Sequence, residues 1–344
     1  MKTFKINGIT GKSTIFIDNN LNELKKIIRN RKTVIISYKN VLKYHKLSFS
    51  GSEVIEINPG ESSKTLKYAE KIYSKLAEYE IDRNGFLIGF GGGVVTDITG
   101  FIGSTYLRGI DFGFIPTTLL AMVDAAIGGK NGVNLGLYKN IIGTITQPKF
   151  VLCNCEYLNT LPDDEYKWGI SEAVKTALIG DKRLFELLEN NSVKILKKDK
   201  KLINEIVLRA VKVKTDVVNY DERESGLRKI LNFGHTFGHS IEKSSNLPHG
   251  AAVSIGMAQA VYLSVKKGYL SLKNADRIIK TLSALDLPVE YKINKKKIQN
   301  IIQRYKKRRD DKISFILLKE IGKPIIEPIA IKELLRVIND LHKH

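Results

Sequence analysis

Short apolar runs separated by turn residues dominate the first part of the chain. Thr33–Ser37, Glu53–Ile57, Phe86–Phe90 and Phe112–Ile115 are rich in β-branched and aromatic residues, as buried strands are. Leu66–Glu80 carries apolar residues at helical spacing and follows Ser62-Ser63, a helix-start signal. Phe86–Phe90 runs straight into Gly91-Gly92-Gly93-Val94-Val95-Thr96-Asp97 and then a helix-like stretch to Ser104. Strands alternating with helices predict an α/β domain with a mostly parallel sheet. From Leu161 onward the pattern is mainly helical, and Pro288, Pro324 and Pro328 punctuate the end. A boundary near residue 155 therefore divides an α/β domain, 1–155, from a mainly α-helical domain, 156–344. No repeat or low-complexity linker interrupts either part.

Composition narrows the classes. A hydrophobic content of 43% over 344 residues suits a globular protein with a sizeable core. No apolar run reaches the roughly 18 residues of a membrane span. Met1–Ile6 has no apolar signal core, so secretion is not expected. Cys153 and Cys155 are one residue apart, badly placed for a disulfide and without a second pair for a metal knuckle. They read as reduced thiols of a cytoplasmic protein. The net charge of +20 raises nucleic acid as a partner. Yet the basic runs Lys194–Lys201 and Lys292–Lys312 interleave Ile and Leu at helical spacing, as solvated helix faces do, and no nucleic-acid-binding motif accompanies them. No nucleic-acid and no membrane partner is expected. A positive field also suits an anionic small-molecule ligand.

Three stretches carry chemistry. The first is the glycine turn after Phe86–Phe90. Strand, glycine turn and helix bring backbone amides against a pyrophosphate, although the spacing is not G-x-G-x-x-G. The second runs from Ile115-Pro116-Thr117-Thr118 to Asn134, followed by Tyr138-Lys139-Asn140. Asp124 and Lys130 are charges within an apolar, glycine-rich run, and Lys130, Lys139, Asn140 and Arg108 could form an anion pocket. The third is Asn232-Phe233-Gly234-His235-Thr236-Phe237-Gly238-His239 with Pro248-His249-Gly250 beyond it. Of six histidines in the chain, three fall here. His235 and His239 are four apart and share a helix face, which is half a metal site or an ordinary pair of core residues. Glu224, Arg228 and Asn232 precede them at intervals of four, one stripe if the segment is helical. Glu172 and Lys175 lie upstream in the apolar helical pattern of Trp168–Thr176. Glu172 with two of the three histidines would make a three-ligand set with an open position, as catalytic metal sites have.

These blocks together resemble the 3-dehydroquinate synthase family over nearly the whole chain. The resemblance rests on Gly60-Glu61-Ser62-Ser63-Lys64, Gly91–Asp97, Tyr106-Leu107-Arg108-Gly109, Pro116–Asn134, Lys139-Asn140, Thr160-Leu161-Pro162, Glu172–Lys175, Gly226–His239 and His249-Gly250. It implies NAD on the N-terminal domain, held at Gly92, Gly93, Val94 and Asp97 and by Asn40, Glu61, Lys64, Thr117, Thr118, Lys130, Lys139 and Thr160. It implies one divalent metal, zinc or cobalt, on Glu172, His235 and His249, which moves His239 from ligand to proton-handling residue. Asp124, Lys175, Glu224 and His239 are then the catalytic candidates. Arg108, Lys130, Asn140, Lys214, Arg228, Asn232 and Lys306 are the substrate-binding candidates, with Arg108 reaching from a neighbouring subunit of a homodimer. The implied site lies in the cleft between the two domains.

The implied reaction converts 3-deoxy-D-arabino-heptulosonate 7-phosphate to 3-dehydroquinate and phosphate, with NAD reduced and reoxidised within one turnover. The chain departs from the family pattern at Tyr38, where an acid usually meets the adenosine ribose, and at Tyr305, where an acid usually precedes the Lys306 position. Met122 and Ala126 replace residues that are commonly polar. Alternatives are another sugar phosphate cyclase, which Arg228 and Lys214 argue against, and a metal-dependent polyol dehydrogenase, which would accumulate NADH.

Overall fold

The computed structural model describes residues 2–18, 21–45, 51–136, 138–245, 247–291 and 312–334. Its elements run β1 (Lys2–Gly8), β2 (Gly11–Ile17), α1 (Asn22–Ile28), β3 (Thr33–Tyr38), α2 (Lys39–Tyr44), β4 (Glu53–Ile57), α3 (Leu66–Glu78), β5 (Phe86–Gly91), α4 (Gly93–Thr105) and β6 (Asp111–Pro116). They continue with β7 (Lys130–Leu135), β8 (Tyr138–Ile145), β9 (Phe150–Cys153), α5 (Asp163–Gly180), α6 (Lys182–Asn190), α7 (Ser192–Leu196) and α8 (Lys200–Tyr220). The last are α9 (His235–Ser244), α10 (His249–Lys266), α11 (Leu272–Ala284), β10 (Lys312–Glu320) and β11 (Lys323–Ala330).

The four expected strands are β3, β4, β5 and β6. They join β9, β2 and β1 in a seven-stranded sheet of order β1-β2-β9-β6-β5-β3-β4. Only β1–β2 is antiparallel; β2–β9, β6–β9, β5–β6, β3–β5 and β3–β4 are parallel. A parallel sheet covered on both faces needs strands that are apolar throughout. Val34, Ile35, Ile36, Phe86, Leu87 and Ile88 are all fully buried. The sequence reading passed over the β1–β2, β7–β8 and β10–β11 hairpins. Pro324 and Pro328 sit within β11, in a two-stranded sheet where each strand has a free edge that tolerates a missing N–H. No described helix is long and apolar enough to cross a membrane.

The chain forms two compact units, and not by a single cut near residue 155. One is Met1–Tyr166 with Ile203–Arg223; the other is Lys167–Leu202 with Glu224–His344. Side chains near the C-terminal end of α8 explain why that segment belongs with the N-terminal unit. Asn219 accepts from the Asn7 amide at 2.9 Å. Glu222 gathers the β1–β2 turn: it accepts from the Ile9 amide at 2.7 Å, the Thr10 hydroxyl at 2.6 Å and Gln147 Nε2 at 2.8 Å.

That clamp sets a pH dependence. Burial alone would raise the Glu222 carboxyl, but the hydrogen bonds from Thr10, Gln147 and the Thr10 and Ile9 amides hold it below its ordinary 4.5. A carboxylate lowered on folding adds stability above its unfolded value, and that stability is lost as pH falls through the folded value. Glu222→Gln should therefore destabilise the protein at neutral pH by about 1–3 kcal/mol. The difference in urea midpoint from the parent should close once the pH is below the folded-state value. A difference that persists there would mean that the clamp does not depend on charge.

Candidate active site and metal centre

In the second unit three helices bring a carboxylate and three imidazoles together. Glu172 and Lys175 lie one turn apart on α5, among Ala173, Val174 and Ala177, and are 0% and 1% exposed. Their ion pair spans 2.5 Å. His235 is the first residue of α9, after Gly234 takes the left-handed conformation at φ 77°. His249 is the first residue of α10, after Pro248.

These helices approach closely because glycines line the contact. A Cβ on Gly256 would lie 2.0 Å from the Gly234 carbonyl oxygen, and one on Gly250 would lie 2.6 Å from Trp168 Cα. With no side chain between the backbones, His249 Nε2 comes 3.3 Å and His235 Nε2 3.6 Å from the same Glu172 oxygen. The ligand atoms of Glu172, His235 and His249 lie within 4.8 Å of one another. Both Glu172 oxygens are buried.

The electrostatics follow from that crowding. Burial pushes Glu172 up, but Lys175, then His235 and His249, pull it well below the usual carboxylate range. Burial, reinforced by Lys175, pushes His235 down to about 3. Burial and His249 bring His239 down to about 4. Burial also opposes charge on His249, yet hydrogen bonds to Glu172 and Glu242 lift it to about 10. A proton on His249 occupies the position that a cation among these donors would take, so metal binding at neutral pH should release it. An ionised carboxylate and two imidazoles, one of them neutral at neutral pH, form a suitable donor set for a zinc-like ion.

His239 stacks edge-on to His235, with ring centroids 5.1 Å apart. The expected helical stripe from Glu224 to the histidines is not present as such. Glu224 has φ 60°, Leu227–Asn232 is a 3-10 turn, and left-handed Gly234 breaks the chain before α9. The break still leaves Asn232 donating to the Glu224 carboxylate. Arg228 is 1% exposed.

The first unit holds most of the other expected residues. Gly92 precedes α4, whose first turn carries no acid; the first amides of a helix have no intrahelical acceptor and suit an anion. A Cβ on Gly92 would meet Thr118 Cγ2 at 3.0 Å, and the Thr117 amide donates to Gly91 O at 2.9 Å. Val94 follows in the first turn of α4. Lys64, 3% exposed, pairs with Asp97, and the Glu61 carboxylate accepts from Asn134 Nδ2 at 2.8 Å. Asn134 Oδ1 in turn accepts from the Asn140 amide at 2.9 Å, fixing Asn140 in a left-handed turn of φ 53°. Lys214 is 6% exposed, pairs with the Asp124 carboxylate and donates to its carbonyl at 2.5 Å. Thr160 meets His45 Nε2 at 2.6 Å. Asn40 is the second residue of α2 and accepts from the Val41 amide at 3.0 Å. Tyr38 ends β3, the strand paired with β5. Lys130 begins β7, and Lys139 lies on the exposed part of β8. Arg108 is exposed on a turn with Leu107 at φ 50° and Arg108 at φ 68°. Lys306 and Tyr305 lie outside the described residues.

Asn134, His45 and Glu242, which hydrogen-bond to expected site residues, are not among the residues expected from the sequence. Only Asn134 had a signal, a polar residue closing an apolar run.

Residues 54–168 match the family model for the 3-dehydroquinate synthase N-terminal domain and residues 169–308 that for the C-terminal domain. The 3-dehydroquinate synthase of Thermoanaerobacter pseudethanolicus is 41% identical over 327 residues, 92% of each chain. That of Thermodesulfovibrio yellowstonii is 44% identical over 293 residues, 83% of this chain and 82% of the other. Among solved structures, 2-epi-5-epi-valiolone synthase from Streptomyces hygroscopicus subsp. jinggangensis, with NAD+ and Zn2+ bound, superposes with a TM-score of 0.86 at 25% identity, over 100% of this chain and 99% of that one. A 2-deoxy-scyllo-inosose synthase with carbaglucose-6-phosphate, NAD+ and Co2+ shares the fold at a TM-score of 0.84 and 23% identity, over 98% and 100%.

Proposed function

The chain belongs to the 3-dehydroquinate synthase family, and on that premise we propose that it converts 3-deoxy-D-arabino-heptulosonate 7-phosphate to 3-dehydroquinate and phosphate around the Glu172, His235 and His249 cluster. The observation that carries the assignment is this cluster: a buried carboxylate facing two imidazoles within ligand distance of each other. When bound, a divalent metal supplies a Lewis acid for the substrate alcohol, and NAD supplies a hydride acceptor that returns what it takes.

The residues of the chain do the remainder. Lys175 keeps the Glu172 carboxylate ionised in a buried setting. His239, held neutral, is able to accept a proton. The Arg228 guanidinium matches a carboxylate with two parallel hydrogen bonds, and Asn232, fixed by Glu224, adds a neutral donor. In the first unit the amides at Gly92, Gly93 and Val94 take the pyrophosphate, with Asn40, Glu61, Lys64, Asp97, Thr117, Thr118, Lys130, Lys139 and Thr160 around the cofactor. Asp124, Lys130, Asn140 and Lys214 serve the substrate in the same proposal, as does Arg108 from a second copy in a homodimer. The two buried free thiols, Cys153 and Cys155, support a cytoplasmic location.

Arg228→Lys tests the substrate. The charge stays and the two-pronged geometry goes, so turnover of the heptulosonate phosphate should fall by about 1–3 kcal/mol in transition-state binding. Metal content should not change. Sedoheptulose 7-phosphate, which lacks the carboxylate, is the control. A parent enzyme that prefers it, or an Arg228→Lys enzyme that handles the heptulosonate phosphate normally, would identify a different cyclase.

A further inference from the structure

The two histidines of the cluster are held from behind by different groups. A histidine that gives one ring nitrogen to a metal has its orientation and tautomer set by what the other nitrogen meets. His235 Nδ1 lies 3.1 Å from the Phe233 carbonyl oxygen. A carbonyl only accepts, so Nδ1 carries the hydrogen and Nε2 is left with its lone pair toward Glu172. His249 Nδ1 lies 3.3 Å from Glu242 Oε2, while its Nε2 faces Glu172 Oε1 at 3.3 Å. The backing group is here an anion. Glu242 sits on α9, one turn after His239, and its side chain is 12% exposed.

We propose that Glu242 is a positioning residue of the metal centre, accepting the Nδ1 hydrogen of His249 so that Nε2 is both aimed at the metal and made more basic by the negative charge behind it. This rests on the metal reading above. The geometry also offers a competing arrangement, since His239, Glu242 and His249 form a second group of donors within 4.8 Å of one another. Two features favour a backing role. Glu172 is fully buried and faces both Nε2 atoms, whereas Glu242 meets His249 at Nδ1. And His235 uses the same division of labour, Nδ1 to a backing acceptor and Nε2 toward Glu172.

The test is a competition titration of Zn2+ against a chromophoric chelator. It is run on the full-length protein, Glu242→Gln, Glu242→Ala and Glu172→Ala. The visible spectrum of the Co2+ form and thermal unfolding of the metal-free proteins are recorded alongside. Glu242→Ala should bind Zn2+ about 10–100-fold more weakly, the usual effect of removing such a partner. Glu242→Gln keeps an acceptor and loses the charge, so it should fall between Glu242→Ala and the parent. The Co2+ spectrum should shift in both, the metal-free melting temperatures should stay at the parent value, and Glu172→Ala should lose tight binding altogether. Parent-like affinity in Glu242→Ala would overturn the proposal, as would a loss matched by lower metal-free stability. Lost binding in Glu242→Ala with binding retained in Glu172→Ala would make Glu242 a direct ligand. A parent protein that binds no Zn2+ would overturn the metal reading itself and this inference with it.

Discussion

Replacing Glu172 by glutamine is expected to empty the metal centre and stop turnover while leaving a folded but weakened protein. A carboxamide is neutral and a far poorer ligand than the carboxylate that faces both Nε2 atoms. The same change takes from Lys175, 1% exposed, the carboxylate 2.5 Å from its ammonium. Breaking one side of a buried ion pair costs about 3–5 kcal/mol, because the remaining charge stays buried. Glu172→Gln combined with Lys175→Met should therefore recover much of the stability and none of the metal. Metal analysis and thermal unfolding of the three proteins separate the two effects. Full metal occupancy in Glu172→Gln would remove Glu172 from the ligand set.

The second large effect is expected at Gly256, which has no side chain to offer as a ligand. Its Cβ would sit 2.0 Å from the Gly234 carbonyl oxygen and 2.7 Å from the Gly238 amide nitrogen. Backbone atoms on both sides cannot rotate aside, so α9 and α10 must separate. Overpacking of this kind costs about 1–3 kcal/mol or more. The separation also draws His235 away from His249. Gly256→Ala should lose stability and Zn2+ affinity together, while Met257→Leu next to it should lose neither. A Gly256→Ala protein with parent-like affinity would show that the site does not depend on how closely these helices pack.

Comparing pattern with structure shows where sequence carries information. β3, β5 and β6 were legible because a buried parallel strand is apolar at every position, and Val34–Ile36 and Phe86–Ile88 advertise that directly. Helix α3 was legible because one face is buried, at Ala69, Ile72 and Leu76, and the other is polar. In the hairpins β7–β8 and β10–β11 one strand of each lacks either signature, although Phe315–Leu318 in β10 is apolar and buried throughout. β8 is largely exposed yet holds Tyr138 and Ile141, and β11 carries two prolines. In the site, residue types were readable and their partners were not. Histidine spacing suggested His235 and His239 as joint ligands, because i and i+4 share a helix face. The resemblance chose His249, and the structure explains how residues on separate helices can meet: the contact is made by Gly234, Gly238 and Gly256, whose role appears only when the backbones are placed. The stripe through Glu224, Arg228 and Asn232 assumed a helix that Gly226 and Gly234 interrupt. Glu242, backing His249 from α9, had no sequence signal beyond being an acid near histidines.

The proposed reaction differs from that of a dehydrogenase of similar architecture in one measurable way: its redox step closes on itself. The direct measurement is to supply the purified protein with Zn2+, the heptulosonate phosphate and a small fraction of an equivalent of NAD+, and to follow free phosphate and reduced nicotinamide together. The expected result is phosphate and dehydroquinate rising in step, far beyond the NAD+ present, with no net accumulation of NADH. NADH that accumulates one for one with substrate consumed, or a reaction that halts when the NAD+ is used up, would contradict the assignment and identify a dehydrogenase instead.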